Sequence, residues 1–367
     1  MKTVRRGVTS GVMSCLFFLA GCAAWSPAPQ FSRPYFIVDT GEAKSLYALA
    51  KKQEALAPKC AERNSCDHVY FTRALFGPYY VADALDLYKK SGIKVTLQVF
   101  SDPALIPPAI EGGSVDGGML TYDQVIGQVA KGSTQRVVSP IDYSAGGDAI
   151  VSSVDVKKVT DFKGKKVGYN PLSPSDFLLS YALKVNNMTE KDIMPVNMTP
   201  EAIPAAMASG SMPIGVTYEP NVSQITALEG GKKFHVVYSS KDAPGLITDV
   251  MVFKKEVIKA KPDVVKALIQ GYIDGLDYMK KNPDKAAEII GKAIGVSAAE
   301  VKDQLSGVYN MKPGEMAKVL AKGKDTTSLY VSGALIGEIL KAKGQITTIP
   351  KTEDTYDDSI LKMVLKK

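Results

Sequence analysis

Histidine, tryptophan and cysteine are scarce in this chain of 367 residues, which holds two, one and four of them respectively. So few leave little material for a nucleophile with its base or for a cluster of metal ligands. His68 is the one histidine near a pair of cysteines and His235 lies far away, so no zinc ligand set can be assembled and no cofactor is expected. Arginine is thin as well. After residue 21 only Arg33, Arg63, Arg73 and Arg136 occur, and they form no basic patch of the kind that grips nucleic acid. Beyond the N-terminus no apolar run reaches the ~20 residues needed to span a bilayer.

What the N-terminus does contain is an address. Lys2, Arg5 and Arg6 precede the apolar run GVMSCLFFLAGC, which has the form of a secretory signal. Its end, LAGC (Leu19 to Cys22), resembles a bacterial lipobox, which implies cleavage before Cys22, a lipid on that cysteine, and a chain anchored in the cell envelope facing the periplasm or the exterior. Removal of residues 1–21 lowers the formal charge from +7 to about +4. That surplus is spread as single lysines among acids, a solvated surface. Cys60 and Cys66 then remain, able to close a local disulfide in an oxidising compartment or to stay as two thiols.

About 345 mature residues exceed one hydrophobic core, so two lobes are expected. Residues 22–67 read as a Pro-rich tether and a small helical appendage. From His68 onward strands alternate with helices: HVYFTRA, then Val81, Ala84, Leu85 and Tyr88 at helical spacing, then KVTLQVF. Further strands are expected near 117–120, 136–141, 148–153, 165–169, 214–218, 234–239 and 248–253. The alternation predicts an α/β fold built on parallel sheets.

An internal echo carries more. GSVDGGMLTYD (113–123) and GSMPIGVTYE (210–219) each follow a short helix begun by proline, and each ends a strand in Thr-Tyr-acid. Open α/β sheets bind ligands at the carboxyl ends of their strands. Thr121, Tyr122 and Asp123 are therefore expected to meet Tyr218 and Glu219 across a crevice, unless the tyrosines pack on helices and the acids only cap them.

The ordered motifs FGPYYVADALDLYKKSGIKV, AIEGGSVDGGMLTYD, SAGGDAIV, VTDFKGKKVGYN, GVTYEPNVS and APGLITDVMVFKKEVI resemble a family of substrate-binding proteins of ABC importers, the group of aliphatic sulfonate, taurine, nitrate and thiamine-precursor binders, over roughly residues 68–310. The resemblance implies a type II periplasmic binding protein fold: two α/β lobes joined by two crossovers and closing on a small ligand. It places the crossovers near 150–154 and 247–252, lobe 1 at 68–151 plus 250–367, and lobe 2 at 152–249. It also implies an ABC permease and its ATPase as partners, and a protein that binds its solute without transforming it. The family's tryptophan near the ligand is missing, so Phe76 or Tyr79 must supply any stacking.

The loop GYNPLSPSDFLLSYAL (168–183) suits a helix start, with Ser173 at the N-cap, Pro174 first and Asp176 third. In the family such a start offers hydroxyls and amides to an anionic group, so Ser173 and Ser175 are candidate ligand donors. Asp176 would repel an anion unless it turns away as a cap. Asp249, with Asp148, is a candidate to hold a cationic or hydroxyl group, or else to fix a hinge turn. Two other functions stand beside the importer: a sensing or interaction lipoprotein, which Ala23 after the lipid cysteine favours, and an enzyme like the thiamine-pyrimidine synthases of the same fold group.

Overall fold

In the computed structural model, which describes residues 65–70, 76–98 and 105–366, two separate sheets form. The first contains β1 (Ser65–Tyr70), β2 (Lys94–Gln98), β3 (Gly117–Thr121), β4 (Gln135–Ser144), β10 (Thr248–Lys254) and β11 (Val308–Asn310), in the order β11-β4-β10-β3-β1-β2. The second contains β5 (Asp148–Ser153), β6 (Lys166–Tyr169), β7 (Met194–Asn197), β8 (Ile214–Tyr218) and β9 (Phe234–Ser239), in the order β7-β6-β8-β5-β9. The expected leader, the expected lipidation site Cys22 and residues 23–64 of the expected tether and appendage, Cys60 among them, lie outside the described residues, and with Cys60 goes the question of its pairing with Cys66; residues 65–67, read as the end of the appendage, instead open β1.

The expectation of parallel sheets holds for part of each. β1 runs parallel to β2 and β3, and β6 to β7 and β8, but β10 is antiparallel to β3 and β4, and β5 to β8 and β9. The cause is the route of the chain. β5 and β10 each enter their sheet from the other lobe, so they start at the edge where the parallel strands end and run the opposite way. The crossings themselves fall at residues 145–147 and 240–247. They thus lie a few residues before the expected 150–154 and 247–252, because all of β5 and all of β10 already belong to the sheet they enter.

Period-2 alternation along the strands builds the core on both sheet faces. Along β5, Ile150 joins one apolar cluster with Val167, Ile214 and Val216, while Ala149 and Val151 join another with Ile203 and Met207. In lobe 1 the long helix α8 (Pro262–Lys281) lies against the short helix α1 (Gly77–Ala84), with Gly275 at the contact. Helix numbering follows chain order: α2 (Ile106–Gly112), α3 (Tyr122–Ala130), α4 (Pro174–Val185), α5 (Ile203–Ala208), α6 (Asn221–Ala227), α7 (Lys255–Ala260), α9 (Pro283–Ile294), α10 (Ala298–Ser306), α11 (Pro313–Val319), α12 (Leu329–Ala342) and α13 (Ser359–Leu365).

Two buried serines knit the crossings together. Ser144 and Ser240 share a hydroxyl hydrogen bond of 2.8 Å; Ser240 Oγ also accepts from Gly146 N, and Ser144 Oγ from Asp148 N. The backbone N–H groups of Ala145 and Gly147 both donate to Gly307 O, and a Cβ on Gly147 would stand 2.9 Å from that oxygen. Ser144→Ala removes the acceptor of the Asp148 N–H and the partner of the Ser240 hydroxyl. The expected cost is about 1–3 kcal/mol, the penalty of a buried polar group left unpaired; a urea unfolding midpoint equal to that of the parent would contradict this hinge.

Candidate functional site

The crossover edge of the first sheet carries a row of polar residues in register. Thr121 of β3 stands opposite Asp249 of β10, Asp249 opposite Asp142 of β4, and Asp142 opposite Asn310 of β11. Both aspartates are buried. At the corresponding edge of the second sheet Tyr218 of β8 stands opposite Asp148 of β5, and β6 runs out beside them into the loop that starts α4. Adjacent carboxylates on one sheet edge attract a cation or a hydrogen-bond donor, because drawing them together out of water disfavours their charge unless a partner is present.

Of the expected ligand residues, Asp249, Thr121 and Tyr218 lie on these two edges. Thr121 is partly engaged already: its N–H and hydroxyl both donate to Gln124 Oε1, capping α3. Tyr218 is half-buried and its hydroxyl donates to Glu201 at 3.3 Å. Glu219 spends its carboxylate on α6, accepting from the N–H and the hydroxyl of Ser223.

Tyr122 departs from the expected crevice. Its buried hydroxyl bonds Thr355 Oγ1 at 2.8 Å, and its ring lies beside a cavity of about 150 Å³ with Gly333, Ile349 and Lys351 in the lining. The echo fails here for a local reason. In lobe 1 the helix begins at Tyr122 itself, so the tyrosine rotates with the first helical turn. In lobe 2 the helix waits until Asn221, beyond Pro220, and Tyr218 keeps its place on the strand. Asp123, the second residue of α3, is buried, and burial pushes its carboxyl up to about 6 despite hydrogen bonds from Thr121 and from the backbone of Asp123 and Gln124.

Phe76 and Tyr79 sit inside the apolar cluster of lobe 1. The Tyr79 ring is 5.4 Å from that of Tyr272, and burial first, then the neighbouring Tyr88, Tyr272 and Asp142, raises its phenol well above the usual range. In this arrangement both aromatics pack the core under the polar row.

The α4 loop behaves largely as its sequence suggests. Ser173 is the N-cap residue with extended backbone, Pro174 opens the helix, and Asp176 caps from inside by accepting the Leu172 N–H at 2.8 Å. The Ser173 hydroxyl instead donates to Asn170 O. Ser175 is 1 % exposed, and among the described residues its hydroxyl has no hydrogen-bond partner. In the first turn of this twelve-residue helix the Asp176 and Phe177 N–H groups already donate to Ser173 O, so the Ser175 hydroxyl is a buried polar group left over.

Two buried or half-buried charges near these edges, Asp142 and Lys343, escaped the sequence reading. Asp142 could have been found, because it is the one carboxylate in the strand QRVVSPIDYS and sits near its end. Lys343 could not. It ion-pairs with Asp176 from 167 positions away, and nothing local marks it.

Residues 74–286 match the family model described as NMT1/THI5 like, which is more than half of the chain. The chain belongs to the NMT1/THI5-like family. Among its relatives is the taurine-binding periplasmic protein of Escherichia coli, 27% identical over 293 residues that cover 76% of this chain and 87% of that protein. Its fold is that of the periplasmic aliphatic sulphonate binding protein SsuA from Escherichia coli, with a TM-score of 0.67 at 16% identity over 82% of this chain and 99% of that one. The desulfurization enzyme DSZB shares the fold at a TM-score of 0.57 and 12% identity, covering 82% of this chain and 99% of that one, so the NMT1/THI5-like architecture is not confined to binding proteins. Among the described residues no helix is long and apolar enough to cross a membrane.

Proposed function

We propose that the protein is a lipid-anchored, extracytoplasmic solute-binding protein that captures a small organic molecule between its lobes by hinge closure and passes it to an ABC permease. The observation that carries this is the placement of both polar rows at the crossover edge of their sheets. A ligand touching both rows stabilises the closed state and no other, which is the signal a permease can read. Membership of the NMT1/THI5-like family and the kinship with a taurine-binding protein support the reading.

The two edges differ in chemistry, and the difference argues for a zwitterion. Asp249 and Asp142 suit an amine, while Ser175 and the first turn of α4 suit an acidic head group such as a sulfonate. Catalysis has no comparable support in the cleft. His235 is the second residue of β9 and pairs with Ser152 near the far end of β5, away from the crossover edge.

A thermal-shift screen against taurine, alkanesulfonates, nitrate, amino acids and pyrimidines tests the proposal, since a solute that binds only the native state raises Tm. Taurine is expected to raise it; no shift with any of these from a folded sample would turn the argument toward a sensing or interaction lipoprotein. Asp249→Asn is then expected to weaken taurine ~10- to 100-fold, as a lost charged hydrogen bond of about 1.5–3 kcal/mol requires. Ethanesulfonate, which has no amine, should bind the variant and the parent alike. Equal losses for both solutes would remove the amine from Asp249.

A further inference from the structure

Asp176 is fully buried at the start of α4, and its counter-charge comes from the other lobe. Oδ2 is occupied by Leu172 N–H; Oδ1 accepts from Ser180 Oγ at 3.3 Å and from Lys343 Nζ at 2.7 Å. Lys343 follows directly on α12, and α12 packs on lobe 1: a Cβ on Gly333 would stand 2.9 Å from the Tyr122 ring of α3. The same ammonium reaches Glu190 Oε1 at 2.9 Å, and Glu190 also accepts from the Tyr169 hydroxyl. Burial draws the Lys343 ammonium down, but hydrogen bonds and attraction from Asp176 and Glu190 outweigh it and hold its pKa above the usual lysine value.

Apolar contact runs alongside. Phe177 and Tyr181, one turn apart on α4, join the cluster of lobe 1, while Leu178, Leu179, Ala182 and Leu183 on its other side join lobe 2. Lys184 and Glu338 add an exposed pair at 2.9 Å, which contributes little. Helix α4 is thus shared between lobes, at a point separate from both crossovers.

We propose that Lys343 is a positioning residue for the ligand loop, held out from lobe 1 to lobe 2. It locks the first turn of α4, with Ser173 and Ser175, onto the end of α12 and so limits how far the cleft opens. That these serines meet the solute rests on the function proposed above; the tie between the lobes does not.

The test measures distances between spin labels at Lys232→Cys in lobe 2 and Lys285→Cys in lobe 1, in the full chain with its own cysteines changed to serine. Lys343→Met is expected to lengthen and broaden the distribution, and Lys343→Arg to keep it narrow. The double variant Lys343→Met with Asp176→Asn relieves the stranded buried charge, so its Tm should recover while its distances stay broad. A parental distribution in Lys343→Met would overturn the proposal, and so would recovery of a narrow one in the double variant, which would reduce Lys343 to neutralising a charge. In calorimetric titration with taurine, Lys343→Met should bind at least tenfold more weakly than Lys343→Arg. If the parent itself takes no taurine, the solute assignment fails, and the distances still decide the role of Lys343.

Discussion

Gly275→Ala is expected to lower Tm by about 2–4 °C, even though alanine is the better helix former by roughly 1 kcal/mol. The reason is the contact between α8 and α1. A Cβ at position 275 would lie 2.0 Å from the carbonyl oxygen of Pro78 and 2.8 Å from its carbonyl carbon, and backbone cannot rotate aside as a side chain can. Gly271, one turn earlier, leaves the same kind of room for the ring of Tyr88, which lies in the 3-10 turn Leu87–Ser91 after α1, 2.2 Å from the would-be Cβ. Overpacking of this kind costs ~1–3 kcal/mol and sometimes more, which exceeds the gain in propensity. Gly127→Ala supplies the contrast. It lies in α3 with nothing within 4 Å of the added carbon, so it should stabilise the protein by about 0.5–1 kcal/mol. Two variants shifting Tm in the same direction would show that helix contact does not decide these positions.

Asp123→Asn is expected to stabilise the protein at pH 7 and to have little effect at pH 4. Burial places the native carboxyl at about 6, above the ~3.9 of an unfolded aspartate. Between those two values the native state holds the proton and the unfolded state has lost it, so stability declines as pH rises through the window and levels off above it. The loss amounts to about 1–3 kcal/mol, allowing for hydrogen bonds that an amide accepts less well than a carboxylate. Asparagine has no proton to lose and escapes this decline. Urea unfolding of both proteins at pH 4 and pH 7 checks it: a difference of the same size at both values would mean that the effect is packing and not ionisation.

Both predictions concern groups whose environment is set by distant parts of the chain, and the same divide runs through the whole molecule. Strand positions were legible because a half-buried strand repeats every two residues and its helix every three to four, within a window of a dozen residues. The expected strands at 148–153, 214–218 and 234–239 coincide with β5, β8 and β9. The loop at Ser173 was legible too, since N-cap, proline and acid act over four consecutive residues. Short β7 and β11 went unread. β7 is mostly exposed and β11 has three residues, so neither carries a pattern.

Side-chain direction at the site was less legible. Thr121-Tyr122-Asp123 and Thr217-Tyr218-Glu219 read alike, yet the first begins a helix at once and the second does so after Pro220, and that delay decides whether the tyrosine stays at the sheet edge. Sequence by itself determined the α/β alternation, the helix start at Ser173, and the family whose motifs recur in order. Only tertiary structure decided that Asp142 stands beside Asp249, that Tyr122 turns to Thr355, and that Asp176 answers to Lys343. Local patterns record the constraints of neighbours in the chain. A buried charge must find its partner wherever the fold brings one, and no repeat in the sequence records that pairing.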